Sequence, residues 1–227
     1  MGAALSSLVE SAGPQRTRGL VRVSAQLAQG GSALADLREE GALRVLFPRP
    51  PDDVLDVMLL NTAGGLTGGD KLSISAEAGA GTRLSLTTQA AERAYMAQQG
   101  QVAQTRTELV VQPGAQLHWL PQETILFNGA ALHRHLKVRL LGDAVAVLVE
   151  PVIFGRRAMG ETLDTINFAD RWEISRDGKL IFADAQRLAG DGAQLLQNPA
   201  IGGVASTGAM AGLAYLGPNA ASLLKPL

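Results

Sequence analysis

A glycine-rich loop that ends in an acid is the first stretch of this sequence able to carry chemistry. Residues 60–70 read LNTAGGLTGGD. The spacing of Gly64 and Gly69 fits a phosphate-binding loop, in which lysine follows the last glycine and a helix begins. Here Asp70 holds the lysine position and a strand pattern follows, so a carboxylate would repel phosphate. The residues disfavour nucleotide binding and instead indicate a tight structural loop, built on Gly64, Gly65, Gly68 and Gly69.

Two of the three histidines form a second candidate site. His133 and His135 are two residues apart, so on a strand their rings face the same way and could meet one metal ion. His118 is available as a third ligand. Lys137 and Arg139 share that face, and positive neighbours disfavour a bound cation. A metal site and a solvated polar face are both open on this evidence.

Several acids stand beside apolar or glycine-rich sequence. Because a buried carboxylate is costly unless it is paired, each needs a partner or a cation. The available cationic partners are Arg93, Arg156 and Arg157. Ordinary ion pairing and a functional site both explain these acids, which are Glu92, Glu123, Glu150 and Glu161.

The composition excludes several classes of site. Lys plus Arg number 20 against 21 Asp plus Glu in 227 residues, so net charge gives no pull toward nucleic acid or an anionic membrane. The chain has no cysteine, which excludes disulfides, zinc–thiolate sites and a cysteine nucleophile. No G-x-S-x-G or H-E-x-x-H motif occurs. Paired carboxylates of a hydrolase remain open.

The sequence also carries expectations about location and domains. No apolar run reaches the roughly 20 residues that span a bilayer. The first residues lack the basic and apolar segments of a secretory signal. We therefore expect a cytoplasmic chain with no membrane contact, a flexible segment over residues 1–19, and a single domain over residues 20–227.

The elements that must position these residues follow a period of two. Leu72, Ile74 and Ala76 alternate with polar side chains, which predicts a strand with one solvated face. Turn signals separate similar runs every 8–12 residues, a spacing typical of a sandwich or stacked sheets. The other predicted strands cover residues 21–27, 43–47, 54–60, 83–88, 101–111, 116–120 and 132–140.

Three further patterns complete the fold prediction. Residues 144–149 are apolar throughout, so we expect a strand that is buried on both faces. Asp177 and Gly178 predict the turn of a hairpin over residues 172–182. Residues 90–99 and the small-residue segment 205–216 are expected to be helical. The predicted fold class is mainly β, with stacked or layered sheets in one domain, a few short helices and a small-residue helical segment near the C-terminus.

Four blocks together resemble the signature blocks of one family. They are NTAGGLTGGD at 61–70, TTQAAERAY at 87–95, LPQETILFNGA at 120–130 and GRRAMGE at 155–161. In order and spacing they resemble the urease accessory protein D family, called UreD or UreH. The resemblance runs from about residue 20 to the C-terminus and implies a mostly β fold with layered strands.

The resemblance implies an assembly factor and not an enzyme. Proteins of this family help to insert nickel into apo-urease, in a complex with accessory proteins F and G (UreF and UreG). Members are thought to pass nickel through an internal tunnel, and a homodimer within the complex is possible. No tightly bound cofactor is implied, only transient Ni²⁺. The small-residue region near the C-terminus is the expected contact with protein F.

Carried onto this chain, the family's polar positions form a predicted nickel path. Carboxylates and amide oxygens hold nickel weakly enough to release it, whereas thiolates would trap it. The predicted metal-contacting residues are Asp70, Glu92, Glu123 and Glu161. Thr88 and Gln89 are the predicted polar lining of the tunnel.

Two other functions remain as alternatives. One is a carboxylate-based hydrolase on a β scaffold, which requires a pocket with paired acids and a group that activates water. The other is a pure scaffold whose acids are structural. The resemblance also implies that family members continue past residue 227. Partner binding by this chain is therefore a weaker expectation than its membership of the family.

Overall fold

The alternating segments of the sequence fold into strands, as the computed structural model of the chain shows. It describes residues 15–29, 31–48, 53–198 and 208–223. The strands of this part are β1 Arg18–Ala28, β2 Gly31–Gly41, β3 Leu43–Leu46, β4 Leu55–Asn61, β5 Lys71–Ala78, β6 Arg83–Thr88, β7 Glu92–Ala94, β8 Ala103–Val111, β9 Gln116–Trp119, β10 Thr124–Leu126, β11 Ala131–Leu140, β12 Val145–Phe154, β13 Ile166–Arg176, β14 Lys179–Gly190 and β15 Ala209–Leu216. The helical pieces are a 3-10 turn η1 Arg157–Met159, α1 Gly192–Gln197 and α2 Ala220–Leu223.

The strands form two sheets that face each other. The first sheet has the order β14-β13-β11-β8-β5-β1-β2. The second has the order β3-β4-β6-β9-β12-β10-β7, and β15 pairs with β12. Between β5 and β12 the chain winds back and forth between the sheets: β5, β8 and β11 join the first sheet, and β6, β7, β9, β10 and β12 join the second. Successive strands of a sheet therefore run parallel, as in the pairs β5–β8 and β8–β11.

The core lies between the sheets and follows from the alternation. Val21, Ile74 and Leu109 point inward from the first sheet, whereas Leu86 and Leu148 point inward from the second. Each of these side chains removes apolar surface from water, at about 25 cal/mol per Å². Phe154 and Phe168 meet edge to face across the gap, with 6.4 Å between ring centroids.

One end of the stack is closed by tight turns that bond to one another. We call it the turn end; its turns are 79–82, 112–115, 141–144 and 177–178. The Gly114 amide donates to the Asp143 carboxylate at 2.7 Å. The Gly142 amide donates to the Asp177 carboxylate at 2.9 Å. These side-chain acceptors satisfy amides that the sheet ladders leave free.

The opposite end carries the longer connections, and we call it the loop end. Its segments are 62–70, 89–102, 120–130 and 155–165. Each of the four signature blocks contributes to this end. A backbone bridge joins Leu66 to Ala94, and a second joins Met96 to Ala130. The sequence blocks that carry the family resemblance therefore converge on one end of the molecule.

Most of the strand predictions are confirmed. The predicted run 83–88 is β6, the run 71–77 lies within β5, and the hairpin at Asp177 joins β13 to β14. Asp177 has a φ of 50° and Gly178 a φ of 78°, which is the backbone that such a turn requires. The mainly β, stacked-sheet fold class is confirmed with them.

Three local predictions are wrong. Residues 90–99 form no helix, because Glu92–Ala94 pairs instead with β10 as strand β7. Residues 209–216 are strand β15 and not a helix, because they pair along β12; residues 205–207 lie outside the described part. Strand β12 is fully buried on one face only, since Val145, Val147 and Val149 are half-buried.

The structure tests the predicted domain boundaries only in part. Residues 1–14 of the expected flexible segment lie outside the described part, and Arg18 and Gly19 belong to strand β1. The single domain over residues 20–227 stays a prediction. No helix among the described residues is long and apolar enough to cross a membrane.

Candidate functional site

The glycine-rich loop is organised around its terminal acid. Asp70 is only 2% exposed. One carboxylate oxygen accepts the Thr17 amide at 2.7 Å, and the other accepts the Thr67 amide at 2.8 Å. The first contact ties the loop to the residue before β1, and the second closes the loop on itself. This placement gives Asp70 a structural role in the fold, and its predicted contact with nickel stays a prediction.

The glycines of this loop allow close contact with the second signature block. Gly65 has a φ of +145°, and a Cβ atom there would lie 2.4 Å from the Tyr95 ring and 2.7 Å from the Arg93 carbonyl. A Cβ atom on Gly68 would lie 2.8 Å from the Cβ atoms of Ala97 and Gln101. No larger residue fits at these two positions without displacing backbone or a neighbouring side chain.

Two strands of the second sheet are interrupted at the same level, next to this loop. Strand β7 continues the line of β6 after a break at 89–91, and β10 continues the line of β9 after a break at 120–123. The breaks are tied together, because the Glu92 amide donates to the Glu123 carbonyl at 2.9 Å. The Gln122 amide also donates to the Thr88 hydroxyl, at 3.0 Å. Strand β12 runs past both breaks without interruption.

A cavity of about 230 Å³ lies between the sheets at these breaks. Its lining includes exposed Gln89 and Gln122, and it also includes buried Trp119 and Glu150. The cavity therefore leads from the surface of the loop end into the interior. Its polar lining consists of Asn61, Thr88, Gln89, Glu92, Arg93, Thr105, Thr107, Trp119, Gln122, Thr124, Arg134, His135 and Glu150.

Glu92 stands at the outer part of this lining. Both of its carboxylate oxygens accept from the Asn61 amide nitrogen, at 3.0 and 3.3 Å, and one accepts the Arg93 backbone amide at 3.1 Å. Burial disfavours the charged form and raises the pKa of Glu92, although these hydrogen bonds and the Arg93 charge act against the shift. Glu92 is therefore a carboxylate that takes up a proton more readily than an exposed glutamate.

A buried charged cluster closes the inner part of the cavity. The Arg134 guanidinium bonds the Asp170 carboxylate through Nη2, and the same nitrogen is 3.4 Å from Glu150 Oε2. The Trp119 indole donates to Glu150 Oε1 at 2.8 Å. All three charged side chains are less than 10% exposed. They come from β11, β12 and β13, so the cluster links the two sheets.

The charged groups of this cluster shift one another's pKa values. Burial raises the pKa of Glu150, and the nearby Asp170 charge adds to the shift, whereas Arg134 and the indole hydrogen bonds oppose it. Burial alone would lower the pKa of Arg134, but Glu150 and Asp170 outweigh it and raise the pKa. Arg134 is therefore a permanent cation inside the molecule.

Glu161 belongs to a separate arrangement at the loop end. It pairs with Arg156, whose Nε lies 3.2 Å from its carboxylate, and it accepts the backbone amides of Arg156 and Asn128. The Arg156 guanidinium also lies over the Phe127 ring at 4.4 Å. The hydrogen bond from Arg156 is the main cause that lowers the pKa of Glu161. The Asn128 hydrogen bond and the Phe127 contact connect the fourth signature block to the third.

The predicted site residues thus fall into two sets. Thr88, Gln89 and Glu92 line the cavity. Asp70, Glu123 and Glu161 lie outside that lining, at the neighbouring loops of the same end. Their roles on a nickel path stay predictions.

The histidine hypothesis gains no geometric support. His135 Nε2 lies 2.9 Å from the Glu173 carboxylate of the first sheet, and His118 is on the second sheet. Within residues 15–29, 31–48, 53–198 and 208–223, no group of three His, Asp or Glu side chains is arranged to hold a metal ion.

Sequence reasoning identifies Glu150 as an acid that needs a partner but does not identify its partners Arg134 and Asp170. Arg134 stands in the predicted strand 132–140, between the two histidines. Asp170 gave no signal at all. An arginine on the inner face of a strand, followed at some distance by unpaired acids, is the pattern that could have indicated the cluster.

Fold and site together define a class: a layered β protein with a polar interior cavity that opens at one end. The family model for the UreD urease accessory protein matches residues 17–227. The chain therefore belongs to the UreD urease accessory protein family.

Individual relatives agree with this membership. The urease accessory protein UreD of Roseobacter denitrificans is 50% identical over 205 residues, which are 90% of this chain and 74% of that protein. The UreD of Ruegeria pomeroyi is 52% identical over 196 residues, 86% of this chain and 76% of that protein. The UreD of another Ruegeria species is 47% identical to this chain, and the matched region covers 75% of that protein. These relatives are named accessory proteins, in line with the non-enzymatic role expected from the sequence.

Proposed function

We propose that this protein is an assembly factor for urease maturation, which helps to insert nickel into the apoenzyme. It acts as a scaffold and as a nickel conduit, in a complex with accessory proteins F and G, in the cytoplasm. The family membership supports the urease part of this proposal. The observation that carries the conduit is the cavity that leads inward from the breaks in the second sheet and would form its entrance; an exit past the buried charges is part of the proposal.

The chemistry of the lining suits a cation in transit. The donors are oxygens of Glu92, Asn61, Thr88 and Gln89, and the chain has no cysteine that could supply a thiolate. Such a set interacts with Ni²⁺ but releases it, because oxygen ligands without a thiolate bind it only moderately.

The partner surface that we propose is the outer face of β15. Leu213 on this strand is 73% exposed, and Ala209 and Ala211 are exposed on the same face. The outer face continues onto β12 through half-buried Val147 and Val149. Accessory protein F would cover this apolar face, which is otherwise left to water. A homodimer within the complex, which the family resemblance implies, is part of the same proposal.

The test is urease activation by a Glu92→Gln variant, co-expressed with accessory proteins F and G and apo-urease. We expect the variant to co-purify with its partners and to give lower urease activity at limiting nickel. The matched control is Glu108→Gln, the same change at an exposed position of β8. Full activation by Glu92→Gln supports a pure scaffold, and loss of co-purification assigns Glu92 to the fold instead.

A further inference from the structure

The inner part of the cavity already contains a cation, which belongs to the protein. Arg134 Nη2 contacts a carboxylate oxygen of Asp170 and one of Glu150. Because both oxygens approach the same nitrogen, they converge on one point. That point lies where strand β12 passes the breaks of the second sheet.

The guanidinium is fixed in this position from several sides. Arg134 Nη1 donates to the Thr124 hydroxyl at 3.3 Å, and the Phe168 ring centroid lies 5.3 Å from the guanidinium carbon. On the backbone, Arg134 is paired directly with Asp170 across β11 and β13. The arginine is therefore held by a built arrangement and is not a surface side chain that has folded inward.

The cluster nevertheless contains carboxylate oxygens that accept no hydrogen bond from the part of the chain that the structure describes. Glu150 Oε2 and Asp170 Oδ1 are buried without a hydrogen bond among the described residues, and so is Arg134 Nε. Two carboxylates against one guanidinium leave a formal excess of one negative charge. Carboxylate oxygens in a low-dielectric interior would attract a cation if the guanidinium beside them were absent.

We propose that Arg134 is an internal counter-cation that keeps Glu150 and Asp170 from holding a metal ion. Without the guanidinium, two carboxylates and the Thr124 hydroxyl would face one another at the end of a cavity and form an oxygen site for a divalent cation. With it, that position is filled by a charge that cannot leave. This inference rests on the proposed conduit for its purpose: an ion in transit is not trapped at the inner end.

The proposal predicts a gain of metal binding when the arginine is removed. The variant is Arg134→Met, which keeps much of the side-chain volume and removes the charge. Purified full chain, mixed with NiCl₂ and then desalted, should retain nickel at least about tenfold more tightly than the wild type. The matched control is the triple variant Arg134→Met/Glu150→Gln/Asp170→Asn, which has the same shape without carboxylates and should retain no more nickel than the wild type.

A second variant covers the case in which Arg134→Met does not fold. Arg134→Met/Asp170→Asn keeps the formal charge of the natural cluster and leaves one unpaired carboxylate. It should retain nickel more weakly than Arg134→Met but above the wild type, and NiCl₂ should raise its Tm. Nickel retention equal to that of the wild type in the variants that can be purified would overturn the proposal.

The outcome is separable from that of the proposed function. Nickel retention is measured on the chain by itself and needs neither urease nor transit through the cavity. If Glu92→Gln activates urease normally while Arg134→Met traps nickel, the conduit fails and the role of Arg134 as counter-cation stands. If Glu92→Gln impairs activation and Arg134→Met binds no metal, the conduit stands and this inference fails.

Discussion

Single carboxylates at the loop end have distinct partners, and these partners decide what each one can do. Asp70 accepts two backbone amides, Glu161 pairs with Arg156, and Glu92 accepts from a side-chain amide at the cavity lining. Only Glu92 combines burial with access to the cavity. The sequence showed all three as acids in glycine-rich or apolar surroundings, which is why it could not rank them.

Asp70→Asn tests the structural role of the loop acid. The amide group of asparagine would place a donor against a backbone N–H, so one buried hydrogen bond is lost. We expect the free energy of unfolding to fall by about 2 kcal/mol, measured by urea denaturation. Asp36→Asn, the same change at an exposed position of β2, should have no effect. If Asp70→Asn is as stable as the wild type but activates urease poorly, the acid acts on the cargo instead.

Glu92 gives a pH dependence whose sign follows from its raised pKa. The folded state binds the Glu92 proton more readily than the unfolded state, so this residue costs stability as the pH rises from the ordinary glutamate value of 4.5 through the raised value. The free energy of unfolding of the wild type, relative to Glu92→Gln, should therefore fall over that window and level off above it. Urea denaturation of both proteins at a series of pH values measures this. A difference that is independent of pH would contradict the burial assigned to Glu92.

At the scale of elements, the turn end and the loop end differ in how well the sequence predicts them. The turn end follows local rules: Asp177 and Gly178 adopt the positive φ that a tight hairpin needs. The loop end depends on contacts between distant segments. Residues 92–94 have alanine-rich neighbours that favour a helix, but pairing with β10 makes them a strand.

In strand β15, too, tertiary contacts override a local preference for helix. Its small residues read as a helix from composition, yet Gly212 packs on Trp172, and a Cβ atom there would lie 2.9 Å from the ring. The small side chains allow the two sheets to approach each other closely, and they do not indicate a helix here. The Arg134 cluster was equally out of reach, because its members lie on three strands that only the fold brings together.

The turn aspartates give a test at this scale. Asp177 accepts the Gly142 amide and has a φ of 50°. Asp177→Ala removes the acceptor and strains the backbone, and we expect a loss of about 1 kcal/mol or more in the free energy of unfolding. Asp177→Asn keeps both an acceptor and a tolerance for positive φ, so it should lose less than half as much. Equal losses of unfolding free energy in the two variants would show that the hydrogen bond from the Gly142 amide to Asp177 does not stabilise the turn end.

Leu213 tests the outer face of β15 as a partner surface. Leu213→Asp places a charge on an exposed apolar face, and we expect loss of co-purification with accessory protein F. The free energy of unfolding should change by no more than about 0.5 kcal/mol, because the side chain is exposed. Leu27→Asp is the matched control, since Leu27 is 60% exposed at the turn end. Retained co-purification of Leu213→Asp would place the contact elsewhere.

At the scale of the whole molecule, the winding of the chain between two sheets places the tight turns at one end and the longer connections at the other. The turn end and the apolar core hold the layers together, and the four signature blocks gather at the loop end, where residues of the first three also line the cavity. The alternating pattern predicted the layers, because period-two burial is a local property of each strand. It could not predict the cavity, which exists because β6–β7 and β9–β10 are interrupted at the same level.

The most direct test of the conduit is to block the cavity without altering its chemistry. Ala91 lines the cavity at the first break, whereas Ala80 is exposed at the turn end. In purified complexes with accessory proteins F and G and apo-urease, Ala91→Trp should slow urease activation at limiting nickel by at least about tenfold, with partner binding retained. Ala80→Trp should activate like the wild type. Equal activation by the two tryptophan variants would contradict passage of nickel through this cavity.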